Sequence, residues 1–156
     1  MHPNAERVQR ALAAAGSVAS IVELDAAAPT AAAAAALLGI GVGQIANSLV
    51  FVADGEPVLV MTSGANRVDT ARVGALLGAT VGRADADTVR SATGFPIGGV
   101  APVGFPAPLR VLVDEDLLGY DVIWAAGGTP HTVFPTTGAE LLRLTGGTPA
   151  AVRVER

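Results

Sequence analysis

The chain has 156 residues, of which 51% are apolar and only 15% charged, enough for one buried core and too apolar for a disordered chain. Its net charge is −4, and its ten basic residues are all arginines scattered along the sequence, so it carries no basic stripe of the kind general DNA binding needs. Cysteine is absent, which excludes disulfides, a thiolate nucleophile and a Cys-ligated zinc.

Residues 4–15 place Val8, Leu12 and Ala15 on one helical face, with Asn4 as the cap and Gly16 as the stop. Val18 to Leu24 reads as a strand. Thr30 caps an alanine-rich helix that ends at Leu38-Gly39. Ser48 to Ala53 and Pro57 to Thr62 are apolar runs joined by Asp54-Gly55, a hairpin signal. Asp69 opens a helix that Gly78 closes, and Asp85 opens another that ends near Gly94. Leu109 to Val113 and Tyr120 to Ala125 read as strands around a short turn at Asp114 to Leu118. Thr132 to Phe134 continues the sheet. Thr137 and Glu140 have the reciprocal capping pattern before a last helix, and Ala151 to Val154 reads as an edge strand. Paired strands with irregularly interspersed helices give an α+β fold with a mixed, mostly antiparallel sheet. No linker divides residues 1–156, which form a single domain. The run AAAAAALLGIGVG at 31–43 is too short and too weakly apolar to span a bilayer, and the charged N-terminus is unlike a signal peptide. The expectation is a soluble, cytoplasmic protein with no membrane partner.

Familiar chemistry is scarce. GIGVGQ at 39–44 follows a helix, so it fails as a dinucleotide fingerprint, and without lysine there is no phosphate-loop motif. No GxSxG elbow occurs. Asp114-Glu115-Asp116 reads as a solvent-facing helix cap rather than a carboxylate pair. His131 has no second ligand at metal spacing, so neither a metal nor a cofactor is expected. What remains is GFPIGGVAPVGFPAP, residues 94–108. Its glycines and prolines forbid regular structure, while its other residues are apolar. Such a loop either anchors itself in the core or presents fixed main-chain N–H groups around Gly98-Gly99-Val100-Ala101-Pro102 as a cradle for a carbonyl or anionic oxygen.

Four blocks then resemble the YbaK / prolyl-tRNA synthetase-associated domain family: the 44–79 segment that opens QIANSLVF, TGFPIGGVAPVGFPAPLRVLVDEDLL, DVIWAAGGTPHTVF and the closing AELLRLTGG. The resemblance spans about Val8 to Gly146. It implies a partly barrel-like sheet with surrounding helices, and hydrolysis of the ester joining an amino acid to the terminal adenosine of a mischarged tRNA. Gly98 to Pro102 matches the family's Gly-x-x-x-Pro loop, which places main-chain N–H groups near the aminoacyl carbonyl. In Ile45-Ala46-Asn47-Ser48-Leu49, Asn47 stands where many relatives carry lysine. A carboxamide can orient a water but cannot neutralise a phosphate.

The expected catalytic residues are therefore Gly98, Gly99 and Asn47. Substrate contacts are expected from His131, Ile45, Ile97, Val100, Ala101, Pro102, Gly127 and Gly128. The function implied is a freestanding trans-editing aminoacyl-tRNA deacylase acting on a proline-type or related tRNA. Its partners would be the aminoacyl-tRNA and a synthetase, and the protein itself a monomer or homodimer. The alternative is a noncatalytic module of the same shape that binds an amino acid, an aminoacyl-adenosine or a protein. A third reading is a metal-independent hydrolase of a small ester.

Overall fold

The computed structural model describes residues 1–155. In chain order the elements are α1 (Pro3–Ala14), β1 (Val22–Glu23), α2 (Ala31–Leu38), β2 (Ile45–Ala53), β3 (Glu56–Ser63), α3 (Thr70–Leu77), β4 (Val81–Arg83), α4 (Ala86–Thr93), β5 (Arg110–Asp114), β6 (Ile123–Ala126), β7 (Thr132–Thr136), α5 (Gly138–Thr145) and β8 (Thr148–Ala150). The strands form one mixed sheet in the order β1-β7-β6-β2-β3-β5-β8, with β4 also on β2. Four pairings are antiparallel (β1–β7, β2–β3, β2–β4 and β6–β7) and three are parallel (β2–β6, β3–β5 and β5–β8). With the helices around it, this is the α+β arrangement expected.

Capping explains most helix boundaries. Thr30, Asp69, Asp85 and Thr137 each accept an amide three residues on, and glycines with positive φ follow α2 to α5. Hydrogen bonds from the Thr88 hydroxyl and amide hold the Asp85 carboxyl below its ordinary range. At Thr137 only half of the reciprocal cap forms, because the Glu140 carboxylate pairs with Arg143.

Several expectations need correction. The cap of α1 is His2, whose Nδ1 accepts the Asn4 amide at 3.0 Å. Asn4 itself lies inside the helix and reaches the Gly128 carbonyl. Only Val22–Glu23 of the first expected strand joins the sheet. Before it, the Gln9 carboxamide holds the Ala19 carbonyl and the Ile21 amide, which ties that segment to α1. The edge strand lies at 148–150, not 151–154, although Arg153 still bridges Val68. The sequence reading also missed β4.

The main core contains Val8 and Leu12 from α1, Leu59 and Met61 from β3, and Val113, Ile123, Phe134 and Leu141, all fully buried. Each such side chain contributes about 1.5–3 kcal/mol. Phe95, Val100, Ala101 and Val103 join this same cluster, so the glycine- and proline-rich loop is anchored in the core. Arg7 lies over the Phe95 ring at 4.2 Å and donates to the Gly94 carbonyl at 2.9 Å, closing the loop from outside.

Candidate active site

Strand β2 has two unlike sides. Along one side it pairs with β3 over its full length. Along the other, β6 pairs at Ile45 and Ala46, and β4 pairs only at Phe51 to Ala53. Between them, Asn47 to Val50 face a seam where no strand docks. A cavity of about 540 Å³ opens there, with every residue from Ile45 to Phe51 on its wall. The breaker-rich loop supplies Ile97, Gly98 and Val100, and the segment before β7 supplies Thr129, Pro130 and Thr132.

The loop meets the cavity through a tight turn. Gly99 N–H donates to the Pro96 carbonyl at 3.0 Å, and Gly98 lies inside that turn at φ +89°. Only glycine adopts such a φ readily. The two glycines therefore differ in role. The Gly99 amide is already bonded within the protein and is not an open donor, contrary to the sequence reading. What demands glycine at 99 is close approach, since a Cβ there would sit 2.9 Å from Thr129 Cα and 3.1 Å from the Gly128 carbonyl carbon. The Gly98 amide has no acceptor among the described residues, and Gly98 lines the cavity. Ile97, 63% exposed, projects an apolar side chain at the cavity mouth.

Asn47 is half-buried on the cavity wall, and its carboxamide makes no hydrogen bond to another described residue. Its cross-strand neighbour is Thr62, whose hydroxyl donates to Asp114 at 3.1 Å. Asp114 is fully buried, not solvent-facing as the sequence suggested. It does cap the following 3-10 turn through the Asp116 amide, but its other oxygen accepts from Thr62, from the Ser63 amide and from Asn66 Nδ2. That carboxylate therefore fixes the turn between β3 and α3, which carries Asn66 and Arg67 to the cavity.

Of the other expected site residues, Ile45 lies on the wall with Asn47, while His131, Ala101, Pro102, Gly127 and Gly128 do not line the cavity. His131 is exposed, and its backbone is used locally: its amide donates to the Thr129 hydroxyl and its carbonyl accepts from Leu24. Ala101 and Pro102 are buried behind the loop. Gly127 and Gly128 set the shape of the turn. Gly128 has φ +103°, and a Cβ there would fall 2.9 Å from the Asn4 carbonyl oxygen. Thr129 is the residue of this block that reaches the site.

The charge pattern was not foreseen. Among the described residues, the charged ones on the cavity wall are Arg67 and Arg83, with no carboxylate beside them. Neither arginine is in an ion pair among the described residues. In a chain of net charge −4, this is a locally positive hollow that attracts anions.

This fold and this cavity define an editing-domain architecture. The aminoacyl-tRNA editing domain family model matches residues 25–144, and the chain belongs to that family. A crystal structure of a candidate trans-editing enzyme for prolyl-tRNA synthetase superimposes with a TM-score of 0.95 at 46% identity, covering 99% of each chain. The proline–tRNA ligase of Nitratidesulfovibrio vulgaris strain DP4 is 37% identical over 93 residues, 59% of this chain but only 16% of the ligase. The uncharacterized protein YwhH of Bacillus subtilis is 27% identical over 122 residues, 78% of each chain.

Proposed function

We propose that the protein is a trans-acting deacylase that hydrolyses the ester of a mischarged tRNA of the proline type or a related one. The observation that carries this reading is the pairing, across one cavity, of an unbonded Gly98 amide with an unbonded Asn47 carboxamide. An aminoacyl ester is already activated, so hydrolysis needs a placed water and a donor for the developing oxyanion. Water oxygen bonds to the carbonyl carbon, the bond to the ribose oxygen breaks, and the water's proton passes to that departing oxygen. Gly98 N–H stabilises the oxyanion, Asn47 orients the water, and Ile97 covers the mouth. The test is release of each amino acid from a panel of mischarged tRNAs. Rates equal to buffer for every tRNA would overturn the deacylase and favour the binding module, which the neutral residue at position 47 would suit.

Arg67 and Arg83 give the tRNA phosphates their grip. Replacing both by glutamine is expected to flatten the dependence of log Kd on log salt by roughly 1 to 2, measured by fluorescence anisotropy of a labelled aminoacyl-tRNA. Asn47→Lys adds a cation to the same wall. It is expected to tighten tRNA binding by roughly fivefold at low salt, and the gain should vanish as salt screens it.

A further inference from the structure

A second hollow, of about 240 Å³, adjoins the turn that follows β3. Its wall includes Ala65 and Asn66 of that turn, Asp116, Gly119 and Tyr120 from the segment between β5 and β6, and Arg153 from beyond β8. Asn66 lies on the wall of both hollows. Unlike the main cavity, this one carries both signs of charge. Arg153 Nε meets Asp116 Oδ2 at 3.2 Å, and Asn66 Nδ2 donates to the same oxygen at 2.8 Å. The two charged side chains are 32% and 37% exposed, so water screens their pairing and a ligand can share it. The pair runs through Nε, which leaves the terminal nitrogens of the guanidinium fork for a second carboxylate. The Tyr120 hydroxyl has no hydrogen-bond partner among the described residues. Gly43 gives it room, since a Cβ there would overlap the hydroxyl oxygen, and the Ser63 hydroxyl holds the Gly43 carbonyl at 2.8 Å.

We infer that this hollow binds a free α-amino acid. Its carboxylate bonds to the Arg153 fork and the Tyr120 hydroxyl, and its ammonium joins Asn66 and Arg153 on the Asp116 carboxylate, which has lone pairs for several donors. The charge pattern selects a zwitterion. A simple anion at Arg153 would lie against Asp116, and a simple cation at Asp116 would lie against Arg153. Only a molecule with both charges on adjacent groups matches the pair. The space selects a small side chain: Ala65 and Gly119 bring no more than a methyl group to the wall, beside the Tyr120 ring. The bound ammonium competes with Asn66 for Asp116. Asn66 precedes Arg67, so occupancy loosens the turn that presents Arg67 to the main cavity and weakens tRNA binding. That effect rests on the deacylase reading; the amino-acid site itself does not.

The test titrates the isotopically labelled full chain with each proteinogenic amino acid, then with two analogues of the tightest binder, one lacking the amine and one lacking the carboxylate. The amino acid is expected to shift the Gly119 backbone amide and the Asn66 side-chain amide. Each analogue should bind about tenfold more weakly, as should the amino acid to Arg153→Gln. Gly119→Leu is the second variant. A Cβ at Gly119 meets nothing within 4 Å, so the fold tolerates it while the added side chain obstructs the hollow. No shift with any amino acid, shifts confined to Gly98 and the main cavity, or an analogue that binds as tightly as its parent would each overturn the site. So would undiminished binding to both variants. Anisotropy of labelled tRNA, with and without saturating amino acid, is measured on the same preparation, and a two- to threefold weaker Kd is expected, about the coupling such a turn can carry. Gly119 shifts with an unchanged tRNA Kd overturn the link to Arg67 and support the site. Gly119 shifts in a protein that releases no amino acid from any mischarged tRNA support the site and overturn the deacylase.

Discussion

Gly98→Ala is expected to slow deacylation by about 10²- to 10³-fold, the loss typical when one oxyanion donor is removed or misaimed. At φ +89° an alanine is strained by about 1–2 kcal/mol. Space is not the obstacle, because a Cβ there would meet the Pro29 carbonyl oxygen at an ordinary 3.5 Å. The turn relaxes by rotating the peptide that carries the Gly98 amide, so stability falls modestly, by about 5 °C in Tm, while the donor leaves its position. Gly104→Ala is the matched control. Gly104 has φ +85° in the same loop but packs against Phe95 and Arg7 and does not line the cavity. It should lose a similar amount of stability and keep its turnover. Single-turnover rates and thermal melts of the two variants check this, and equal rates for both would remove the Gly98 amide from the mechanism.

The same loop shows what sequence reasoning can reach. That residues 94–108 form a stiff loop with buried anchors follows from breakers alternating with apolar residues, and Phe95, Val100 and Val103 are those anchors. That one of two adjacent glycines offers its amide while the other does not depends on a single hydrogen bond to Pro96, which no local pattern encodes. The helix caps were legible because they are local chemistry, an Asp or Thr with an amide three residues on. Strand β4 was not. It is three residues with a central glycine, and it exists because β2 offers an edge there. Arg67 and Arg83 come from a turn and an edge strand 16 positions apart, and only the sheet brings them to one hollow. His131 shows the converse error: its block does reach the cavity, but the chain turns so that Thr129 faces inward and the imidazole faces out.

Asp114→Ala is expected to have the largest effect on stability. The carboxylate is fully buried and accepts from Thr62, the Ser63 amide, Asn66 and the Asp116 amide at 2.8–3.1 Å. Truncation leaves the buried Thr62 hydroxyl and Ser63 amide without their acceptor, while Asn66 keeps its bond to Asp116. Each buried donor so stranded costs about 1–3 kcal/mol, and partial relaxation of the exposed end brings the total to about 3–5 kcal/mol. Against a typical stability of about 5–15 kcal/mol this is a large share, and Tm should fall by about 10 °C. Asp114→Asn keeps the shape but converts one acceptor oxygen into a donor, so it should fall between wild type and alanine. The damage is not confined to the core, because the carboxylate holds the turn that presents Arg67, on the same wall as Asn47. At a temperature where Asp114→Asn remains folded, its tRNA affinity should therefore weaken with a reduced salt slope, as for Arg67→Gln. Chemical denaturation together with anisotropy across salt tests both halves. An Asp114→Asn protein with lowered stability and an unchanged salt slope would show that the carboxylate supports the fold without setting the cationic rim.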